Sequence, residues 1–133
     1  MKRLQSVYYR DATAREPVND FIDSLPDRAQ AAIDLQIGRL NDLTVDDPPL
    51  AFPHSSQVDG ELRELRCHFG RRLFRILYRR SHNLVILLHM FEKSSRKAPQ
   101  SDIKIAQDRW EDFQRRMGEL PRRPPRAAGH DAP

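Results

Sequence analysis

Residues 61–97 constrain the fold more than any other part of the chain, because they contain three consecutive strand-like segments followed by a basic loop. These segments are residues 61–67, 73–80 and 84–91. The step Ser81-His82-Asn83 is short enough for a hairpin. The last segment is the most apolar part of the chain, which predicts a place at the centre of the sheet. Strands this close in sequence are expected to pair as an antiparallel meander.

The segments on either side complete the order β-α-α-β-β-β-α. Residues 4–9 alternate loosely and end in two tyrosines, which predicts a first strand. Pro17 and Pro26 are each placed to open a helix, and the second helix is expected to reach about Leu43. Pro99 begins a last helix with an apolar stripe formed by Ile103, Ala106, Trp110, Phe113 and Met117. The order predicts an α+β domain with a curved, mainly antiparallel four-stranded sheet and helices packed on one side.

The chain is expected to form one domain, residues 1–117, followed by a disordered tail, residues 118–133. The tail is rich in Pro, Gly, Ala and Arg and has no apolar periodicity, which is typical of disorder. Residues 44–60 contain three prolines and end in Asp59-Gly60. This composition predicts a loop with a turn directly before the next strand.

The positive charge of the chain is concentrated in the predicted sheet. Residues 61–97 contain 10 Lys/Arg and 3 Asp/Glu, a net charge of +7. Residues 1–59 carry 6 against 10, or −4, and residues 98–133 carry 7 against 6, or +1. A positive sheet surface indicates a polyanionic partner, and nucleic acid is the leading candidate.

Several classes of protein and site are not expected. The longest uncharged apolar run, residues 84–90, is too short to span a membrane. The N-terminal residues lack the apolar segment of a secretory signal. A single cysteine, Cys67, excludes an intramolecular disulfide and Cys-based zinc motifs. No metal-ligand spacing and no phosphate-binding glycine loop are present. The simplest interpretation is a cytoplasmic protein without a metal or cofactor.

Basic residues inside or just after the strands are the candidate functional residues. Arg75 lies between Phe74 and Ile76, so its charge must reach the exposed face or find a partner. Arg63 and Arg66 are three residues apart and therefore face opposite sides of the sheet. Adjacent strands can gather one positive patch from Arg66, Arg75, Lys93, Arg96 and Lys97. His89 lies within the most apolar strand, where a core role and a catalytic role both stay open.

The order and spacing of several segments resemble a known family. ELREL-R is followed by LFRILY, then by VILLHMFEKSSRKAP, and then by a helix that starts Ile-x-x-Ala. This succession is similar to the phage-derived RelE/HigB-type toxins of type II toxin–antitoxin modules. The resemblance covers about residues 3–117. In place of the second basic residue that many relatives have after the position of Lys93, this chain has Ser94, and Arg96 and Lys97 follow.

The resemblance implies a function and a set of site residues. Its best-known members are ribosome-dependent endoribonucleases that cut messenger RNA without a metal or cofactor. The implied catalytic residues are Arg66, Arg75, Lys93, Arg96, Lys97 and His89. RNA contacts are expected from Arg63, Arg72 and Arg79. The implied partners are the ribosome, messenger RNA and a cognate antitoxin, expected to be a helix-turn-helix protein encoded next door. DNA would be reached only through that antitoxin.

Two other functions stay open at the level of sequence. ParE-type toxins share the fold that the resemblance implies, but they act on DNA gyrase. A phage-derived protein that inhibits a host protein without catalysis is the second alternative. The cluster of basic residues favours the nuclease. Shortened messenger RNA, as opposed to DNA damage, would separate the first two readings in cells.

Overall fold

The computed structural model describes residues 2–93, 98–117 and 125–129. Its elements are β1 (Gln5–Tyr8), α1 (Pro17–Asp23), α2 (Asp27–Asn41), β2 (Ser55–Asp59), β3 (Leu62–Phe69), β4 (Arg72–Ser81), β5 (Leu84–Glu92) and α3 (Gln100–Met117). The α+β class is confirmed. In the described part of the chain, no helix has the length and apolar character needed to cross a membrane.

The sheet has five strands in the order β1-β5-β4-β3-β2, so the expectation of four strands is wrong. β1 runs parallel to β5, and all other neighbours are antiparallel. The additional strand, β2, lies in the segment predicted to be a loop. Its sequence SSQVD has a single apolar residue, Val58. It can nevertheless form a strand, because an edge strand can pair through its backbone without an apolar face. Gly60, with φ +57°, forms the turn into β3.

Helices cover both faces of the sheet, which corrects the expectation of helices on one side. Helices α1 and α2 pack on one face, where the core includes Val18, Ile33, Ile37, Phe74 and Ile76. Helix α3 packs on the other face, where the core includes Leu77, Ile86, Leu88, Ala106 and Trp110. The five consecutive apolar residues at the start of β5, Leu84–Leu88, fit this arrangement, because a strand buried on both faces has no polar side to alternate with.

A β-bulge in β5 changes which side chains face α3. Leu77 pairs with His89 and Tyr78 pairs with Leu87, so Leu88 is an additional residue between the paired positions. Strict alternation from Leu88 would have turned His89 toward α2. The bulge instead places both residues on the α3 side. The β5 residues on that side are Leu84, Ile86 and Leu88 before the bulge, and His89 and Phe91 after it.

Residues 125–129, here called the C-terminal segment, lie along the outer edge of β1. Val7 and Ala127 form an antiparallel bridge. The amide of Tyr8 donates to the carbonyl of Arg126 across 2.9 Å, and the amide of Ala128 donates to the carbonyl of Ser6 across 2.7 Å. The edge strand of the sheet is therefore closed by five residues from the other end of the chain.

Asn41, at the end of α2, fixes this segment in place. Its Nδ2 donates to the carbonyl of Ala128 across 2.8 Å, and its Oδ1 accepts from the amide of Ser6 across 2.7 Å. A Cβ on Gly129, which has φ +98°, would lie 2.5 Å from the same Nδ2. Both the backbone angle and the close approach therefore require glycine at this position.

The expectation that the whole of residues 118–133 is disordered does not fit the C-terminal segment, where Ala128 is buried. The segment is held by backbone hydrogen bonds to an edge strand and by one asparagine. Such contacts need no apolar periodicity, so composition did not reveal them. Residues 118–124 and 130–133 lie outside the described residues.

Candidate functional site

A buried ion pair between Glu64 and Arg75 forms the centre of the candidate site. The two residues lie on neighbouring strands, β3 and β4, and on the α3 side of the sheet. Nη2 of Arg75 donates to Oε1 of Glu64 across 2.8 Å, and Nε lies 2.5 Å from Oε2. The side chains are only 4% and 2% exposed. The positive charge of Arg75 within the apolar strand β4 is thus balanced by a carboxylate on β3.

Two further donors converge on the same carboxylate. Ser56 Oγ of β2 donates to Oε1 of Glu64 across 3.0 Å, and Nη1 of Arg66 lies 3.4 Å from that oxygen. Arg66 pairs with Arg75 in the strand register, so the two guanidinium groups are neighbours across the ladder. Glu64 therefore orients both arginines by accepting from each. We call Glu64, Arg66 and Arg75 the arginine cluster.

Arg66 is the more accessible arginine of the cluster, with a side chain that is 13% exposed. Its guanidinium lies over the ring of Phe52, 5.0 Å from the centroid. Its backbone is held on both sides, because its amide donates to the carbonyl of His54 and its carbonyl accepts from Gln36 Nε2. The arginine cluster is therefore partly accessible at Arg66 and closed at Arg75.

Phe91 and Lys93 continue the row of the arginine cluster into β5 and just beyond it. Phe91 pairs with Arg75 in the register, and its ring lies 5.8 Å from the guanidinium. The amide of Lys93 donates to the carbonyl of Leu73 across 2.8 Å, so its backbone stays attached to β4. Lys93 is half-buried and lies two residues after Phe91. This position places it at the same end of the sheet as Arg75.

His89 lies one row further under α3, and both of its ring nitrogens have partners. Nε2 is 2.6 Å from Oδ1 of Asp102, and Nδ1 is 3.3 Å from Nη1 of Arg109. A carboxylate only accepts and a guanidinium only donates, so the ring is neutral with its proton on Nε2. Burial, opposed by the hydrogen bond to Asp102 and aided by the charge of Arg109, lowers the pKa of His89. In this conformation His89 ties β5 to α3.

The three arginines expected to contact RNA do not lie together. Arg63 faces α2, where Nη2 donates to the carbonyl of Leu50 and the side chain lines a cleft of about 340 Å³. Arg72 also points away from α3, with its guanidinium over Phe74 and paired with Glu92. Arg79 faces α3, but its guanidinium lies over the ring of Trp110, 4.6 Å from the centroid. The opposite orientations of Arg63 and Arg66 confirm the prediction from strand alternation.

The structure thus brings Arg66, Arg75 and Lys93 to one end of the α3 face, with His89 behind them. Arg96 and Lys97 lie outside the described residues. Sequence reasoning missed Glu64, the residue that connects the cluster. A usable signal was present, since Glu64 and Arg66 are two apart in a strand and must share a face. It also missed Asp102 and Arg109, which hold His89 from a different element.

The charge of the arginine cluster suits an anion. Two guanidiniums and one carboxylate carry a net charge of +1 in a largely desolvated place, where electrostatic interactions are stronger than in water. Arginine presents a planar fork that matches phosphate oxygens. Within the described residues, no group of three or more His, Cys, Asp or Glu side chains is arranged to hold a metal ion.

Comparison with known proteins gives two similarities. Residues 20–111 match the family described as Phage derived protein Gp49-like (DUF891). This range includes β2 to β5 and the whole arginine cluster. The chain is also 31% identical over 115 residues to a protein named "Probable endoribonuclease HigB1" in two strains of Mycobacterium tuberculosis. That similarity covers 86% of this chain and 88% of the relative.

Proposed function

The chain belongs to the phage-derived, Gp49-like branch of the RelE/HigB-like toxin family, and from this membership we propose that it is a type II toxin that cleaves messenger RNA on the ribosome. The observation that carries the proposal is the arginine cluster, a net positive site with one accessible guanidinium at Arg66 and a second, buried one directly behind it. The related protein named as an endoribonuclease supports the same chemistry.

RNA supplies its own nucleophile for such a reaction. The 2′-oxygen attacks the adjacent phosphorus and loses its proton, and the bond between phosphorus and the 5′-oxygen breaks as that oxygen gains a proton. We propose that Arg66 contacts the phosphate and that the charge of Arg75 adds to the stabilisation of the extra negative charge. Lys93, at the same end of the sheet, is our candidate for proton donation to the leaving oxygen.

The proposed dependence on the ribosome follows from how little the side chains of the site can do as a general base that removes the proton from the 2′-oxygen. The carboxylate of Glu64 is covered by three donors, and both nitrogens of His89 are engaged. A weak general base leaves most of the rate to alignment of the 2′-oxygen with the phosphorus, and a ribosome that fixes the messenger RNA would provide that alignment. A cognate antitoxin, as the family implies, would hold the toxin inactive in the cell.

Replacement of Arg66 tests the proposed chemistry. Expression of the unaltered chain should arrest bacterial growth and create new 5′ ends in messenger RNA. We expect Arg66→Ala to lower the cleavage rate by about 100-fold, in line with the loss of a group that stabilises transition-state charge. Purified toxin should cleave messenger RNA bound to ribosomes much faster than the same RNA in free solution.

Arg80→Ala is the matched control, because Arg80 is an exposed arginine of β4 on the α2 side of the sheet. It should arrest growth as the unaltered chain does. Circular dichroism would establish that both variants are folded. Growth arrest with intact messenger RNA and induced DNA damage would contradict the proposal and indicate a gyrase-directed toxin.

A further inference from the structure

Phe52 is the most exposed large apolar side chain among the described residues, with an exposed fraction of 70%. It lies in the loop between α2 and β2. The amides of His54 and Ser55 both donate to the carbonyl of Ala51, which closes a turn around it. The carbonyl of His54 then accepts from the amide of Arg66 across 2.8 Å. The loop that carries the exposed ring is therefore attached to β3 beside Arg66.

The surroundings of this ring distinguish it from an isolated exposed apolar residue, which would need no explanation. One side of the Phe52 ring lies over the guanidinium of Arg66, 5.0 Å from the centroid. On the far side of Arg66 along the same row lie Arg75 and then Phe91, whose ring is 5.8 Å from the Arg75 guanidinium. Two aromatic rings thus flank a pair of neighbouring guanidiniums at the proposed reaction site.

Aromatic rings next to positively charged side chains are a combination by which proteins bind single-stranded RNA. Rings stack on bases, and arginines contact the phosphates between them. We propose that Phe52 is a base-stacking residue that receives one nucleobase of the substrate next to the phosphate held by Arg66. The inference rests on the proposed function and adds a substrate contact that the sequence did not indicate. Stacking tolerates any base, so Phe52 contributes affinity without base preference.

Binding of two matched probes tests this role. One probe is a six-nucleotide 2′-O-methyl RNA, which cannot be cleaved because its 2′-oxygens are blocked. The other has the same phosphates but abasic sugars. Fluorescence anisotropy at one low salt concentration gives the affinities, since salt changes the phosphate contribution. The unaltered chain should bind the base-containing probe more tightly than the abasic one.

The variants then assign the difference to Phe52. We expect Phe52→Ala to weaken binding of the base-containing probe by about tenfold and to leave the abasic probe unchanged. Phe52→Trp, which keeps a stacking surface, should bind both probes as the unaltered chain does. Equal affinities of the unaltered chain for the two probes, or an equal loss on both in Phe52→Ala, would overturn the stacking role.

Cleavage of messenger RNA on ribosomes, measured in parallel, separates this inference from the proposed function. If the unaltered chain cleaves messenger RNA and Phe52→Ala shows no loss of affinity specific to the base-containing probe, the stacking role alone is rejected. A base-dependent loss without any cleavage would reject the proposed function and leave the stacking role standing. Unchanged probe binding in Phe52→Ala, together with weaker binding of the antitoxin encoded next door, would assign Phe52 to a protein contact and overturn the proposal.

Discussion

Arg75 and Glu64 are diagonal neighbours on adjacent strands and form an ion pair that is almost fully removed from solvent. The chain also contains an exposed counterpart, the pair of Arg72 and Glu92, in which two nitrogens of one arginine reach the two oxygens of one glutamate across 2.9 Å. The two pairs join the same residue types in nearby positions of the sheet. They differ mainly in burial, which makes them a matched set for measuring what burial does to an ion pair.

Glu64→Gln should lower the free energy of unfolding by about 3–5 kcal/mol, because it leaves a buried guanidinium without its counter-charge. Glu92→Gln is the control and should change stability much less, because solvent screens the exposed pair. Urea denaturation of both variants measures the difference. Similar midpoints for the two variants would show that the buried pair contributes no more than the exposed one.

Replacement of both members of the buried pair should separate stability from activity. We expect Glu64→Leu with Arg75→Met to be more stable than either single variant, since no buried charge is left unpaired. The double variant should nevertheless fail to cleave messenger RNA, because the charge proposed to stabilise the transition state is gone. Denaturation and cleavage assays on the three variants check this. A stable double variant with unaltered cleavage would remove Arg75 from the proposed chemistry.

The lowered pKa of His89 predicts a loss of stability in mild acid. The unfolded chain takes up a proton on this residue near pH 6.5, whereas the folded chain does so only at a lower pH. Between these values the unfolded state binds more protons, so the free energy of unfolding falls as the pH falls. The contribution of His89 is therefore fully present above pH 6.5 and is lost below it.

Thermal melts at about pH 7.5 and about pH 5.5, roughly one unit on either side of the ordinary histidine pKa, test this expectation. The melting temperature of the unaltered chain should fall more between the higher and the lower pH than that of His89→Gln. His68→Gln, which replaces an exposed histidine of β3, is the control and should behave as the unaltered chain. An identical acid response in all three proteins would contradict the assignment to His89.

Removal of residues 118–133 should destabilise the domain, because it takes away the C-terminal segment. The truncation leaves the amide of Tyr8 without its carbonyl partner and Asn41 without Ala128. Each lost hydrogen bond contributes about 0.5–1.5 kcal/mol, since water can replace the partners at the exposed edge. The amide hydrogen of Tyr8 should exchange faster with solvent in the truncated chain than in the unaltered one. A chain that ends at Gly129 is the control, and equal stability of the two truncated proteins would show that the segment contributes nothing.

The elements with strong periodicity could be predicted from sequence. Helix α3 begins one residue after Pro99. Its buried residues are the first four of the predicted stripe, and the fifth, Met117, is partly buried. Strand alternation separated Arg63 from Arg66 correctly, because β3 is regular over both positions. β2 was missed because an edge strand with one apolar residue carries almost no pattern. The packing of α3 against the second face was missed because periodicity identifies an apolar stripe but not the surface it contacts.

The candidate site was less predictable than the fold, for a physical reason. Arg66 and Arg75 could be chosen because charges in apolar strands are costly and therefore informative. Their connection through Glu64 depends on the register between β3 and β4, which residue spacing within one strand does not contain. The partners of His89 come from α3 and depend on how that helix packs. The contacts between elements thus determine the partners of these side chains, which the sequence alone left open.

The single additional residue in β5 divides that strand into two parts whose side chains toward α3 differ in character. Upstream of Leu88, the residues facing α3 are aliphatic, so variation there is limited by volume. From His89 onward, the residues on the same side are polar or aromatic and lead to Lys93. Because the bulge resets the alternation between the two parts, the side chains that pack against Ala106 and Trp110 lie on the same side of the sheet as those that lead to Lys93. One additional residue thereby lets a single strand supply packed core residues and the approach to Lys93 on one face of the sheet.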